Sequence, residues 1–344
     1  MRDEPVASGE GPRAALRRTL TREAAEANAA LGVDLYGVLG TDAEDMVFSP
    51  ASVASALWMA LCGASGQTAA ELATVLHLGK YPEPQNVAAT GLRLMPAWPG
   101  GGEPGGGSAI FRAPATIWIQ SGLRLGGLFQ ARVVTSGVTL ADADFAAAPE
   151  PARAEINRMI AEQTEGKITG LLPSGTVTAL TRLVLASAVY LKAAWTDPFP
   201  ERATADAPFY PDGPDGPDGP ALTVPMMRGT APRAYLRGDG YQAVLLPYRD
   251  IGLAMAVLLP DGPLAALRPK LAAAGLGGLL AGTARHQVTL SLPRFRVEAA
   301  FDLIPALRRL GVVAPFGGDA DFNEITADAQ LRIGAVAHKA YIDV

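Results

Sequence analysis

The sequence predicts an α+β fold, helices beside strands, and three observations carry that prediction. Residues 183–191 are nine in a row with one polar side chain among them, Ser187. Such a run is too long and too apolar for a strand with one wet face, and it reads as a central strand covered on both sides. Residues 14–38 repeat apolar side chains at a 3.6-residue period, as a long amphipathic helix does, and two shorter helical patterns follow. Residues 241–248 and 253–259 are apolar runs joined by Arg249-Asp250-Ile251-Gly252, a hairpin by its turn chemistry.

Each element has its local reason. In the first helix Leu16, Leu20, Leu31, Leu35 and Leu39 fall on one side, with small Ala24 and Ala27 between them. Ser49 is placed to cap a helix opening at Pro50, where proline has no donor to lose. Gly63 and Gly66 stop that helix, and Thr68 with Glu71 reads as a capping box for the next, which buries Leu72, Val75 and Leu76. Residues 96–108 form a glycine- and proline-rich loop. Residues 115–120 read as a strand, 121–133 as a helix, and Ile156 and Met159 sit on a further helix. The tandem PDGPDGPDG within residues 206–220 is a turn-former that cannot be a strand interior. In 288–298 the apolar face changes phase at Pro293, so the strand must bend there. Residues 301–310 read as a helix ended by Gly311, and 331–344 as a final strand. The hydroxyl of Ser187, buried without a partner, would cost about 1–3 kcal/mol, so it asks for a polar neighbour on an adjacent strand.

The 344 residues, 49% hydrophobic and 18% charged with net charge −5, suffice for one large domain or two ordinary ones. The balance gives no electrostatic footprint for nucleic acid, and no apolar run is long enough to cross a membrane as a helix. The N-terminus lacks a basic start followed by an apolar stretch, so the chain as written is expected in the cytoplasm, or outside the cell if the true start differs. Residues 1–13 are expected to be a disordered leader and 14–344 a single domain. One cysteine, Cys62, excludes an internal disulfide, and it shares no metal-ligand spacing with His77, His286 or His338. The abundance of Ala, Gly, Pro and Arg suggests a bacterial gene.

Catalytic signatures are missing. Gly63-Ala64-Ser65-Gly66-Gln67 fails as a nucleophile elbow at its last position, and no zinc-protease, Cys-x-x-Cys or dinucleotide motif occurs. The 96–108 loop lacks the Gly-Lys-Ser/Thr ending of a phosphate loop. Asp319, Asp321 and Asn323 begin like a calcium loop, but Glu324 stands where its glycine belongs and Gln330 where its bidentate glutamate belongs. No cofactor or metal is expected, and the chain is not expected to be an enzyme.

Several quoted stretches, in order, resemble the serpin family of serine protease inhibitors. They are FSPxSVxxAL with LGxxGxTxxEL, carrying Cys62 where leucine is expected, then INxxxxxxTxGKIxxLLP leading to YLKAAW. After them come LPYxxxxLxMxxLLPDG, ADFxxI and HKAxxxV. The resemblance covers nearly all of 14–344. It implies a serpin fold with about eight to nine helices around a large sheet A and smaller sheets B and C. It also implies a metastable inhibitor that traps a serine or cysteine protease by inserting its cut reactive loop into sheet A, acting as a monomer. His338 then matches the shutter histidine, with Ser49, Ser52 and Ser187 as its implied partners. Ser187 stands where asparagine is usual, and Trp195 matches the breach tryptophan at the top of the sheet. Family members continue past the position of Val344 into hinge, reactive loop and closing strands, so the reactive bond is expected beyond Val344. The chain alone is then expected to be an inactive, truncated form. The alternatives are a non-inhibitory binding protein on the same scaffold and an inert remnant.

Overall fold

The computed structural model describes residues 12–40, 45–94, 109–136, 138–211 and 222–344. The expected 96–108 loop, the proline repeat at 212–220 and residues 1–11 of the expected leader lie outside the described residues. Among the described residues there are eight α-helices. The first, α1 (Pro12–Leu39), takes in Pro12 and Arg13, which were expected in the leader, and its Leu31 and Leu35 are fully buried as the helical period predicts.

Helix α2 (Pro50–Leu61) begins where Ser49 holds an extended backbone and its Oγ accepts from the Ser52 N–H at 3.2 Å. Burial of Val53, Leu57, Trp58, Met59 and Leu61 makes it a core helix, each large side chain contributing about 1.5–3 kcal/mol. It ends at Leu61, and Gly63 just beyond is glycine for a packing reason, since a Cβ there would lie 2.1 Å from the Ile325 side chain. Helix α3 (Gly66–Val75) departs from the expected capping box. It starts two residues before Thr68, and Thr68 Oγ1 instead accepts from the Asp321 N–H at 2.9 Å. Glu71 accepts from the N–H groups of Val313 and Ala314, each at 2.7 Å. Both side chains thus serve a segment some 240 residues away in sequence, which spacing alone does not reveal.

Helix α4 (Pro84–Leu94) and strands β1 (Ile110–Arg112) and β2 (Ala115–Gln120) precede α5 (Gly127–Ser136). That helix starts later than expected because Gly122, at φ +88°, turns the chain first. Strand β3 (Thr139–Ala143) and helix α6 (Pro149–Gln163) follow. The apolar run beginning at Leu183 is two strands, β4 (Leu183–Ser187) and β5 (Tyr190–Lys192). Its two-sided cover is real: Leu183, Leu185 and Val189 pack with the main helical core, while Val184, Ala186 and Ala188 pack under α6 with Ile156 and Ile160.

The remaining strands are β6 (Ala205–Phe209), β7 (Leu222–Gly238), β8 (Tyr241–Pro247), β9 (Ala254–Pro260), β10 (Ala284–Pro293), β11 (Arg296–Asp302) and β12 (Ala337–Asp343). Helices α7 (Leu267–Leu280) and α8 (Ile304–Arg309) lie among them. The helix expected over 301–310 is shorter because Phe301 and Asp302 stay in β11. The phase change at Pro293 does not bend one strand. It separates two, β10 pairing with β7 and β11 with β12, so the switch of face is a switch of sheet.

Five strands form one continuous antiparallel sheet in the order β10-β7-β8-β9, with β6 added to the start of β7. The other strands form separate short ladders in two groups, together called the central sheet. One part has the order β3-β2-β4, extended by β1 paired with β5, and the Ala188 N–H donating to the Pro114 carbonyl carries the ladder across the break. The other part is the pair β11-β12.

Candidate functional site: the interrupted central sheet

Among the described residues, no strand pairing or backbone hydrogen bond joins β4 or β5 to β12. The edges of β4–β5 and of β12 are thus unpaired toward each other, and the same elements floor and roof both. Beneath them lies the N-terminus of α2. The Ser49 N–H donates to Nε2 of His338 on β12 at 2.9 Å, and Ser52 Oγ donates to the Ser187 carbonyl at the end of β4 at 3.0 Å. Ser49 Oγ closes the set by accepting from the Ser52 amide. The four residues expected together thus meet, but by a different route from the one implied. His338 and Ser187 do not bond to each other, and the main-chain oxygen of Ser187, not its hydroxyl, is the atom that is held.

His338 is buried, and burial pushes it down to about 4 from 6.5. It is neutral at physiological pH, and accepting at Nε2 places its one proton on Nδ1.

At the upper end, Trp195 forms an antiparallel bridge with Tyr248, their rings stacked at 4.6 Å between centroids and 15° between planes. The Arg249 N–H donates to the Ala194 carbonyl and the Thr196 N–H to the Pro247 carbonyl, both at 2.8 Å. This ties the end of β5 to the hairpin of β8 and β9. Trp195 also packs with Phe199 and Val344 around Met227, Leu246 and Leu292. Phe295 and Val344 exchange backbone hydrogen bonds, so the end of β12 reaches the same cluster.

The roof is the helix that the INxxxxxxTxGKIxxLLP resemblance implies across the sheet. Helix α6 and the turn after it cross above both edges, with Ile156, Ile160, Ile168, Leu171 and Leu172 packed on Ala186, Ala188 and Ala337. Asn157 fastens the turn to the helix in both directions, accepting from the Leu172 N–H at 2.8 Å and donating to the Leu172 carbonyl at 2.9 Å. The signal was present in the sequence as small alanines on alternate positions of the run, which make room for a covering helix.

The arrangement defines a class: a helix-covered set of strands whose two halves are held by polar contacts to a common helix and, among the described residues, by no ladder between them. The family model described as Serpin (serine protease inhibitor) matches residues 26–344. The chain belongs to the serpin family. An uncharacterized serpin-like protein of Thermococcus kodakarensis is 34% identical over 314 residues, spanning 90% of this chain and 70% of that protein. Leukocyte elastase inhibitor of Sus scrofa is 33% identical over 335 residues, 92% of this chain and 84% of the relative. Among solved structures, Cleaved Serpin 42Da superposes with a TM-score of 0.85 at 27% identity, covering 96% of this chain and 86% of that one.

Proposed function

We propose that this chain is the strand-accepting body of a serpin-type inhibitor that traps a serine or cysteine endopeptidase by insertion of a cut loop into its central sheet. The observation that carries the reading is the missing ladder between β4–β5 and β12. Each edge offers backbone donors and acceptors to one incoming strand, and a strand pairing with both would complete the sheet. The gain from completing it is the driving force that a trapped protease would feel. Related chains bear the names leukocyte elastase inhibitor and Serpin B3, which agrees with a peptidase as the partner.

Residues 1–344 supply the slot, and on this proposal the bait strand is not among them. The 344-residue chain alone is then expected to form no SDS-stable complex with a protease, and to take up a strand offered separately. A synthetic peptide of about 12 residues, rich in alanine and threonine and long enough to line β4 through β5, is the direct test. Binding should raise the melting temperature, and infrared spectra should gain antiparallel and parallel strand signal. A chain that takes up no such peptide, or that forms a covalent protease complex by itself, overturns the proposal.

A further inference from the structure

We infer that Glu165 is a latch on the roof of the slot, a positioning residue that sets how fast a strand can pass beneath α6 without setting how tightly it is held once in place. The inference rests on the strand-accepting reading above.

Glu165 follows the last turn of α6 and holds φ at +52°, in the left-handed region that favours glycine. A glycine is next in sequence, Gly166 at φ +73°, so the turn has its natural left-handed residue already. A carboxylate held in such a backbone is an outlier that asks for a reason. Its contacts give one. The Tyr190 hydroxyl on β5 donates to Glu165 Oε2 at 2.8 Å. The Arg112 guanidinium on β1 lies 3.9 Å from Oε1, and Lys192 Nζ at the end of β5 lies 3.8 Å from Oε2. Arg112 also donates to the Gln163 carbonyl at 3.4 Å. One carboxylate so collects a phenol and two cations from the left-hand edge of the slot. Burial and the neighbouring carboxylate both push the Tyr190 phenol upward, which keeps it a donor.

Four residues further on, the same turn is fastened to the opposite edge. Lys339 on β12 donates to the Thr169 carbonyl at 3.0 Å, and Lys167 lies 5.2 Å over the Tyr341 ring. Residues 163–169 therefore bridge the gap that no ladder bridges. A strand threading between β5 and β12 must pass under this bridge, so one side of it has to let go. The Glu165 side holds two ion pairs, at 3.8 and 3.9 Å, where the β12 side holds a hydrogen bond to a carbonyl and a cation over a ring, so the Glu165 side is the one whose charge pairing salt weakens. After the strand has passed, the same contacts can form again, which makes the latch a barrier to both insertion and release.

The test uses the full 344-residue chain and a fluorescently labelled alanine- and threonine-rich peptide, with uptake and release followed over time. Glu165→Gly keeps, and eases, the left-handed backbone while removing the carboxylate. Tyr190→Phe removes only the hydroxyl. Both should speed uptake and release together, Glu165→Gly by about tenfold, with the equilibrium affinity moving less than about threefold. Uptake by the unaltered chain should quicken with added salt, and uptake by Glu165→Gly should not; a merely structural Glu165 would not move that salt dependence. If the unaltered chain takes up peptide and the variants match it in rate and salt response, the latch is wrong and the slot stands. If the unaltered chain takes up nothing, the slot itself is wrong. Urea titration of each variant confirms that it is folded before its rates are read.

Discussion

The two sheets of this protein satisfy their backbones differently. In the five-stranded sheet every neighbour is hydrogen-bonded along its ladder, β10 and β7 matching over ten residue pairs, from Ala284 with Tyr235 to Pro293 with Met226. In the central sheet the strands pair within each half, and the halves meet through Ser49, Ser52 and the turn at 163–169. A ladder locks register and spacing at once. A few side-chain contacts fix position while leaving the edges free. One sheet is laddered throughout, and the other, among the described residues, has no ladder between β4–β5 and β12.

That contrast can be broken first in the laddered sheet. Leu246 on β8 is buried against Met227 and Leu292, so Leu246→Ala should cost about 2–5 kcal/mol. The loss in urea midpoint should be much the same with and without bound peptide, because the cavity opens beneath the β10-β7-β8 ladder and only the ends of the other strands, at Trp195 and Val344, reach it. A smaller loss in the loaded form would mean that the two sheets are coupled.

Next in size is a pH effect confined to the interrupted sheet. Between pH 6.5 and about 4 the unfolded chain carries a proton on His338 that the folded chain excludes. Stability is fully present above pH 6.5 and falls as pH is lowered through that window, by on the order of 3 kcal/mol at its lower end. Protonation would also set an N–H against the Ser49 N–H. Chemical denaturation of the unaltered chain and of His338→Gln across this range measures the difference, and equal slopes would remove His338 as the cause.

How far the sequence could be read follows from how local each cause is. Helix α2 was legible because Ser49, Pro50 and the apolar run that follows are neighbours. The β8–β9 hairpin was legible because its turn is short, with Asp250 at φ +63° and Gly252 at φ +64°. The Thr68–Glu71 pair was misread because its partners are Val313, Ala314 and Asp321. The 17-residue strand β7 went unread, and it takes in Pro225 opposite Asp206 and Pro232 opposite Gln287, residues that a strand interior seldom carries. Of the site, the four residues could be placed together through family resemblance. Which atoms bond, and that Glu165 gathers three partners, depend on tertiary placement that no spacing encodes.

Ser52→Ala tests the weaker join in the central sheet. It leaves the Ser187 carbonyl without its donor at a buried position, at a cost of about 1–3 kcal/mol. Uptake of a strand would give that carbonyl a new partner, so the penalty should shrink in the loaded form. An undiminished penalty would place the Ser52 bond outside the part of the sheet that rearranges.

The smallest effect sharpens the comparison within α6 itself. Arg158 bridges Glu155 and Glu162, both at 2.5 Å, on the outer face of the helix, with its side chain 55% exposed. Pairs of this kind on a wet surface contribute little and are screened by salt. Arg158→Ala should therefore shift the urea midpoint only slightly and leave the rate of peptide uptake as it was. Its ion pairs are the shorter ones, yet they join residues of one helix and cross no boundary. The longer contacts of Glu165 join the helix to the edge of a gap. If Arg158→Ala changed the uptake rate as much as Glu165→Gly, the barrier would lie in the rigidity of α6 as a whole, and the position of a carboxylate over the slot would lose its special standing.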